Sequence, residues 1–175
     1  MPASIEQLKG ALTAGFGPAK QNLFQLQMPV LSQVGGTVDS QTFNILCKSV
    51  TMPGVQVMTK DRIINAFPEK IAYQNAYEPV NISFNETNAF GVRKYFTDWV
   101  NFIFNQEDGT VQYKSDYVCD INVFPLDNKD QVRYAVRLIN AFPTSLTNVD
   151  FSNGADEVVE TTVSLSYQRW VQIGS

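Results

Sequence analysis

A chain of 175 residues that is 44% hydrophobic, with 12 Phe and 7 Tyr, is sized for one domain with a substantial core. Its net charge of −4, with Lys and Arg scattered, excludes the clustered cations by which nucleic-acid binders release counterions. Histidine is absent, which removes the commonest general base near neutral pH and the commonest metal ligand.

Residues 1–21 read as an N-terminal arm. Ile5, Leu8 and Leu12 give a short amphipathic helix, and Gly15, Gly17 and Pro18 end it. The arm lacks the basic start and apolar core of a secretion signal, and no apolar run approaches the ~20 residues needed to cross a bilayer. The expectation is a soluble chain that stays in the cytoplasm where it is made, without membrane insertion. Residues 22–175 read as a single β domain.

From Asn22 the pattern shifts to period two. Phe24, Leu26 and Met28 face one way and Gln25 and Gln27 the other, as in a half-buried strand. Gly35–Ser40 reads as a loop and Thr42–Val50 as the next strand, with Phe43, Ile45 and Cys47 on one side. Cys47 and Cys119 each lie in an apolar-alternating run; two buried thiols are the preferred reading, and a disulfide is the alternative. Met52-Pro53-Gly54 marks a turn. Beyond it, Val55–Phe67 and Lys70–Gln74 form a polar hairpin carrying Lys60, Arg62, Glu69 and Lys70, which needs something to pack on. Val80–Asn85 is a cleaner strand.

One strong helix follows, with Val92, Phe96, Trp99 and Ile103 recurring at steps of four and three and Asn88 as the expected N-cap. Phe96, Trp99 and Ile103 are assigned to the core, as a plug for the sheet rather than a ligand box. Asp116–Phe124 and Gln131–Phe142 read as strands joined by Leu126-Asp127-Asn128-Lys129. Ile64-Asn65-Ala66-Phe67-Pro68 recurs as Ile139-Asn140-Ala141-Phe142-Pro143; both copies read as strand ends, and coincidence is the preferred account. The last strand, Glu157–Trp170, places Val159, Thr161, Val163, Leu165 and Tyr167 on one face. Glu160, Thr162, Ser164, Ser166 and Gln168 occupy the other. The fold class is mainly β with one substantial α-helix (α+β).

Charged residues are only 17% of the chain, fewer than the usual quarter or so. That fits a surface covered by neighbours; a compact monomer surfaced by Asn, Gln, Ser and Thr is the alternative. Catalytic motifs are missing. Gly35-Gly36 lacks the spacing and following helix of a phosphate loop. The carboxylate pairs Glu107-Asp108 and Asp156-Glu157 sit in turn contexts. Asp127, Asn128 and Asp130 lack the Gly and closing Glu of a calcium loop. Arg133 and Arg137, with Lys129 nearby, read as partners of carboxylates rather than of DNA. No catalytic residue, cofactor or metal is expected.

Several segments, in order, resemble the tail tube proteins of contractile-tailed, T-even-like bacteriophages. Asn22-Leu23-Phe24-Gln25 looks like the family's first-strand opening, and Phe43–Gly54 like its strand ending in a Cys-Lys and Pro-Gly-like turn. Arg93–Trp99 is similar to its helix motif, and Tyr113-Lys114-Ser115 to the approach to its next strand. Phe142-Pro143-Thr144 resembles its aromatic-Pro-Thr corner, and Leu165-Ser166-Tyr167 its closing strand. The resemblance spans Asn22 to Tyr167.

It implies an antiparallel β-sandwich or barrel that assembles as hexameric rings stacked into a tube, each subunit adding strands to a continuous inner barrel. The tube would sit inside a contractile sheath and conduct DNA, which passes without sequence-specific binding. Implied partners are the chain itself, the sheath, baseplate and tail-terminator proteins, and a tape measure protein in the lumen before DNA. The implied location is the virion tail, assembled in the host cytoplasm. Within this picture the Glu160, Thr162, Ser164, Ser166 and Gln168 face is the lumen candidate. The arm and the Lys60, Arg62, Glu69, Lys70 hairpin are the inter-subunit contacts. A tube initiator, the tube of a contractile injection system and a type VI secretion tube are related readings; in those an effector can be the cargo. From another class, a small β-barrel module for sugar or lipid is the competitor.

Overall fold

Segments that alternate apolar and polar residues fold into antiparallel strands, which outnumber the helices. The computed structural model describes residues 4–14, 18–35, 38–64, 67–149, 151 and 158–174. In chain order these form α1 (Ile5–Ala14), β1 (Phe24–Gln27), α2 (Ser40–Leu46), β2 (Cys47–Val50), β3 (Gln56–Ile64) and β4 (Phe67–Ala76). There follow β5 (Val80–Asn85), α3 (Gly91–Ile103), the one-turn α4 (Lys114–Tyr117), β6 (Cys119–Pro125), β7 (Ala135–Leu146), β8 (Glu160–Ser166) and β9 (Arg169–Ile173).

Two antiparallel sheets share β7. One runs β1-β6-β7-β9 and the other β7-β8-β5-β2, while β3 and β4 pair only with each other. β8 and β9 lie end to end along β7, and the register Phe142↔Ser166 continues without shift into Ile139↔Arg169. At the break Asn140 takes the left-handed region, φ 54°. Leu138 and Ala141 are both buried, which strict alternation forbids, and opposite them Tyr167 and Trp170 both face the core. Such a change of phase is how a strand turns out of one sheet and into the next. The expected continuous strand Glu157–Trp170 is therefore two strands around a corner.

Inward faces of both sheets meet α2 and α3 in one core. Leu26, Ile121, Val123, Val136 and Leu138 come from one sheet, and Val80, Ile82, Phe84, Val163 and Leu165 from the other. Phe43 of α2 stands edge-on to Phe84, Tyr95 and Phe96, with ring centroids 5.0–5.8 Å apart. Phe96 stacks on Trp99 at 6.0 Å.

Further expectations change. Thr42–Val50 is not one strand: Asp39 caps a helix over Ser40–Leu46, its Oδ1 accepting from the Thr42 N–H at 2.8 Å. The helical turn buries Phe43 fully and leaves Ile45 78% exposed, so the two do not share a face. Asn88 does not cap α3; Phe90 holds that position at φ 50° with no side-chain cap bond. Ile64 does end β3, but in neither echo copy does the Pro close the pairing, since Pro68 pairs with Ile63 near the start of β4 and Pro143 with Leu165 inside β7. Asn65 and Ala66 of the first copy lie outside the described residues.

Candidate assembly surfaces

The outward side of β8 carries Glu160, Thr162, Ser164 and Ser166, while Thr161, Val163 and Leu165 are buried beneath. β5 supplies the matching residues, with Asn81 opposite Ser164, Ser83 opposite Thr162 and Asn85 opposite Glu160. The hydroxyls of Ser83 and Thr162 are 2.8 Å apart, and Ser164 Oγ donates to Asn81 Oδ1 at 2.7 Å. Thr144 Oγ1 donates to the Ser164 carbonyl at 3.1 Å. Lys48 of β2 forms an ion pair with Glu160, so the charge on this face is internally neutralised. The product is a sheet face of short polar side chains satisfied largely by one another. Gln168 departs from it: the residue stands in the corner, and its Oε1 accepts from Asn140 Nδ2 at 2.6 Å.

The β3–β4 hairpin is the opposite kind of surface. Its strands are 9 and 10 residues long, and its described side chains from Gln56 to Arg62 and from Pro68 to Asn75 are all exposed. Lys60 lies opposite Ile71, and a bulge after Met58 throws Tyr73 out of the ladder. Tyr73 then meets Met58, its hydroxyl 3.8 Å from the Sδ. Arg62 opposes Glu69 and Asp61 opposes Lys70, so opposite charges are cross-strand neighbours, which favours this register. Lys60, Arg62 and Glu69 thus share one face, and Lys70 lies on the other.

Edges complete the picture. Among the described residues β1 pairs only with β6 and β2 only with β5. Asn44 Oδ1 accepts from the Leu26 N–H at 2.8 Å and so covers part of the β1 edge. Between these edges lies an open groove of about 580 Å³, floored by Phe24, Val50, Met52 and Val123 and flanked by Lys20 and Lys48.

The remaining candidates are structural. Phe96 and Trp99 are fully buried, and Trp99 Nε1 donates to the Tyr117 carbonyl at 2.9 Å. Ile103 is only partly buried but packs against the same core. Asp127 Oδ1 accepts from the backbone N–H of Lys129 and of Gln131, at 2.7 and 3.0 Å. Its Oδ2 meets Arg133 at 3.0 Å, so a turn is braced by a carboxylate–guanidinium pair. Arg137 donates instead to Asn122 Oδ1 at 3.1 Å. Asp108 accepts from Asn105 Nδ2 at 3.0 Å as a turn carboxylate; Asp156 and Glu157 lie outside the described residues. Cys47 and Cys119 are free thiols, and burial pushes both up to about 12, far from the thiolate form that reacts. Among the described residues there is no cluster able to hold a metal and no helix long and apolar enough to cross a membrane.

Sequence reasoning missed α2 and the corner. The Asp39–Thr42 spacing was a usable capping signal. An Asn between apolar residues in a long strand, as at Asn140, was a usable sign of left-handed backbone.

Comparison with known proteins supplies the family. The anti-feeding prophage cap, a tube-terminating cap, is similar with TM-score 0.68 and 18% identity, over 90% of this chain and 92% of that one. A tube-containing structure of the extracellular contractile injection system PVC, its sheath–tube complex in the extended state, is similar with TM-score 0.64 and 17% identity, over 99% of each chain. At these identities the likeness is one of fold. No curated protein matches the chain. The family model for phage tail tube protein matches residues 19–173. The chain belongs to the phage tail tube protein family.

Proposed function

We propose that this chain is a non-enzymatic structural subunit that forms hexameric rings stacked into a tube inside a contractile sheath. The observation that carries the reading is the β3–β4 hairpin: two long strands whose side chains from Gln56 to Arg62 and from Pro68 to Asn75, apolar ones included, are left in water by their own chain. A two-stranded ribbon of this kind is marginal alone and gains stability by packing on a neighbour. The arm, with Ile5, Leu8 and Leu12 exposed on α1, is a second such contact. Lys60, Arg62, Glu69 and Lys70 set the register of that docking by charge. The single-neighbour edge of β2 is a natural place for a strand of the next subunit, closing a barrel that has no free edges.

In this arrangement Glu160, Thr162, Ser164 and Ser166 line the lumen, with Gln168 at its corner. A short, mutually bonded and locally neutral face has no cation cluster to retain a polyanion, so DNA slides. Implied partners are sheath, baseplate and terminator proteins, with a tape measure protein preceding DNA. The particle would be a phage tail assembled in the host cytoplasm. A second reading, the tube of an extracellular contractile injection system with an effector as cargo, is favoured by the likeness to the PVC sheath–tube complex over 99% of each chain. Nuclease-sensitive nucleic acid in purified particles would separate phage from injection system.

Electron microscopy of the purified protein across concentrations tests assembly: rings or hollow tubes are expected, and a persistent monomer overturns the proposal. For the lumen, Ser164→Cys in assembled tubes is expected to react with small reagents and resist bulky ones. Rapid modification by bulky reagents along the tube exterior would place that face outside.

A further inference from the structure

We propose that the corner between β8 and β9 is a clamp that aims the β3–β4 hairpin for assembly, with Tyr167 and Trp170 as its positioning residues; this rests on the hairpin being an assembly contact. The chain enters the hairpin just after Gly54 and leaves it just before Glu78. Trp170 Nε1 donates to the Gly54 carbonyl at 3.2 Å, and Tyr167 Oη donates to the Glu78 carbonyl at 2.9 Å. The Tyr167 ring also lies against Tyr77, with centroids 5.9 Å apart. Both roots of the hairpin are thus held by one short segment of a distant part of the chain.

That segment is itself fixed. The Gln168 N–H donates to the Ile139 carbonyl at 3.0 Å, and its side chain takes the hydrogen bond from Asn140. The Asn140 N–H in turn donates to Asp120 Oδ1 at 3.1 Å, tying the corner to β6. Tyr167 is buried and Trp170 packs on the core, so the clamp is anchored in the core, whereas the described hairpin side chains from Gln56 to Arg62 and from Pro68 to Asn75 are exposed.

Leverage gives the clamp its importance. A nine-residue strand at ~3.3 Å per residue reaches about 30 Å, so a tilt of about 10° at the roots carries the tip about 5 Å, one strand spacing. Holding the roots before association also removes part of the ordering cost that assembly would otherwise meet.

The test is a double variant, Tyr167→Phe with Trp170→Phe, which deletes both donors and keeps an aromatic ring at each position. Hairpin direction is read as a spin-label distance distribution between Thr59→Cys and Lys94→Cys. Thermal unfolding reports the body, and the concentration at which tubes appear reports assembly. The distribution is expected to broaden, with the unfolding temperature little changed and the assembly concentration raised about tenfold. An unchanged distribution, or assembly at the original concentration, overturns the clamp; a large fall in unfolding temperature makes these residues merely structural and overturns it as well. A companion variant, Lys60→Glu with Arg62→Glu, leaves the clamp intact. If that variant assembles normally, the hairpin-contact reading is what fails, because the distance measurement alone decides whether the hairpin is held.

Discussion

Phe43, Phe84, Tyr95, Phe96 and Trp99 are fully buried and meet ring against ring, whereas Val57, Met58, Ile71 and Tyr73 of the hairpin stand 53%, 42%, 38% and 58% exposed. The two groups draw on similar residue types, yet one is covered by its own chain and the other is not. Buried aromatics stabilise the monomer directly. Apolar residues on a ribbon whose described strand side chains stay exposed contribute little to the monomer; in the proposed assembly a second copy buries them.

The largest effect separates the two at once. Phe43→Ala removes the ring shared by α2, α3 and β5 and is expected to cost about 3–5 kcal/mol in denaturant unfolding. A loss as small as a surface substitution gives would break the comparison from the core side. Next comes Met58→Ser with Tyr73→Ser, which should leave monomer stability within about 0.5 kcal/mol while raising the concentration for tube assembly about tenfold. Equal losses of stability and assembly would mean that the hairpin is packed in the monomer after all.

The smallest effect sharpens what burial means. Thr161 is fully buried opposite Phe84, and its hydroxyl finds no hydrogen-bond partner among the described residues. Thr161→Val keeps the shape and removes the unsatisfied group, so a gain of about 1 kcal/mol is expected from thermal or denaturant unfolding. No gain would indicate a bridging water beneath β8.

Most strands were legible because one face of each is buried and the alternation shows. β5 has the predicted limits, and the inward Thr161, Val163 and Leu165 of β8 are those read from period two. The helix α3 was equally plain from its apolar stripe. α2 was not, because Phe43, Ile45 and Cys47 mimic a strand when spacing alone is read. What overrides it is the Asp39 cap together with an aromatic pocket formed by residues far along the chain. The candidate surfaces were legible as faces: the small-polar row on β8 and the charged hairpin are both real surfaces of the fold. Gln168 continues the exposed side of the row but stands past the end of β8, in the corner, and alternation cannot announce where such a corner falls.

Composition and periodicity alone settled that this is a mainly β chain, since that property depends on residue identity and local spacing. The order of the strands, the corner at Asn140 and Gln168, and the fastening of the hairpin by Tyr167 and Trp170 were decided by tertiary structure. Each depends on a hydrogen bond or packing contact between segments distant in sequence. No local pattern encodes the partner of such a contact, so only the folded chain can specify it.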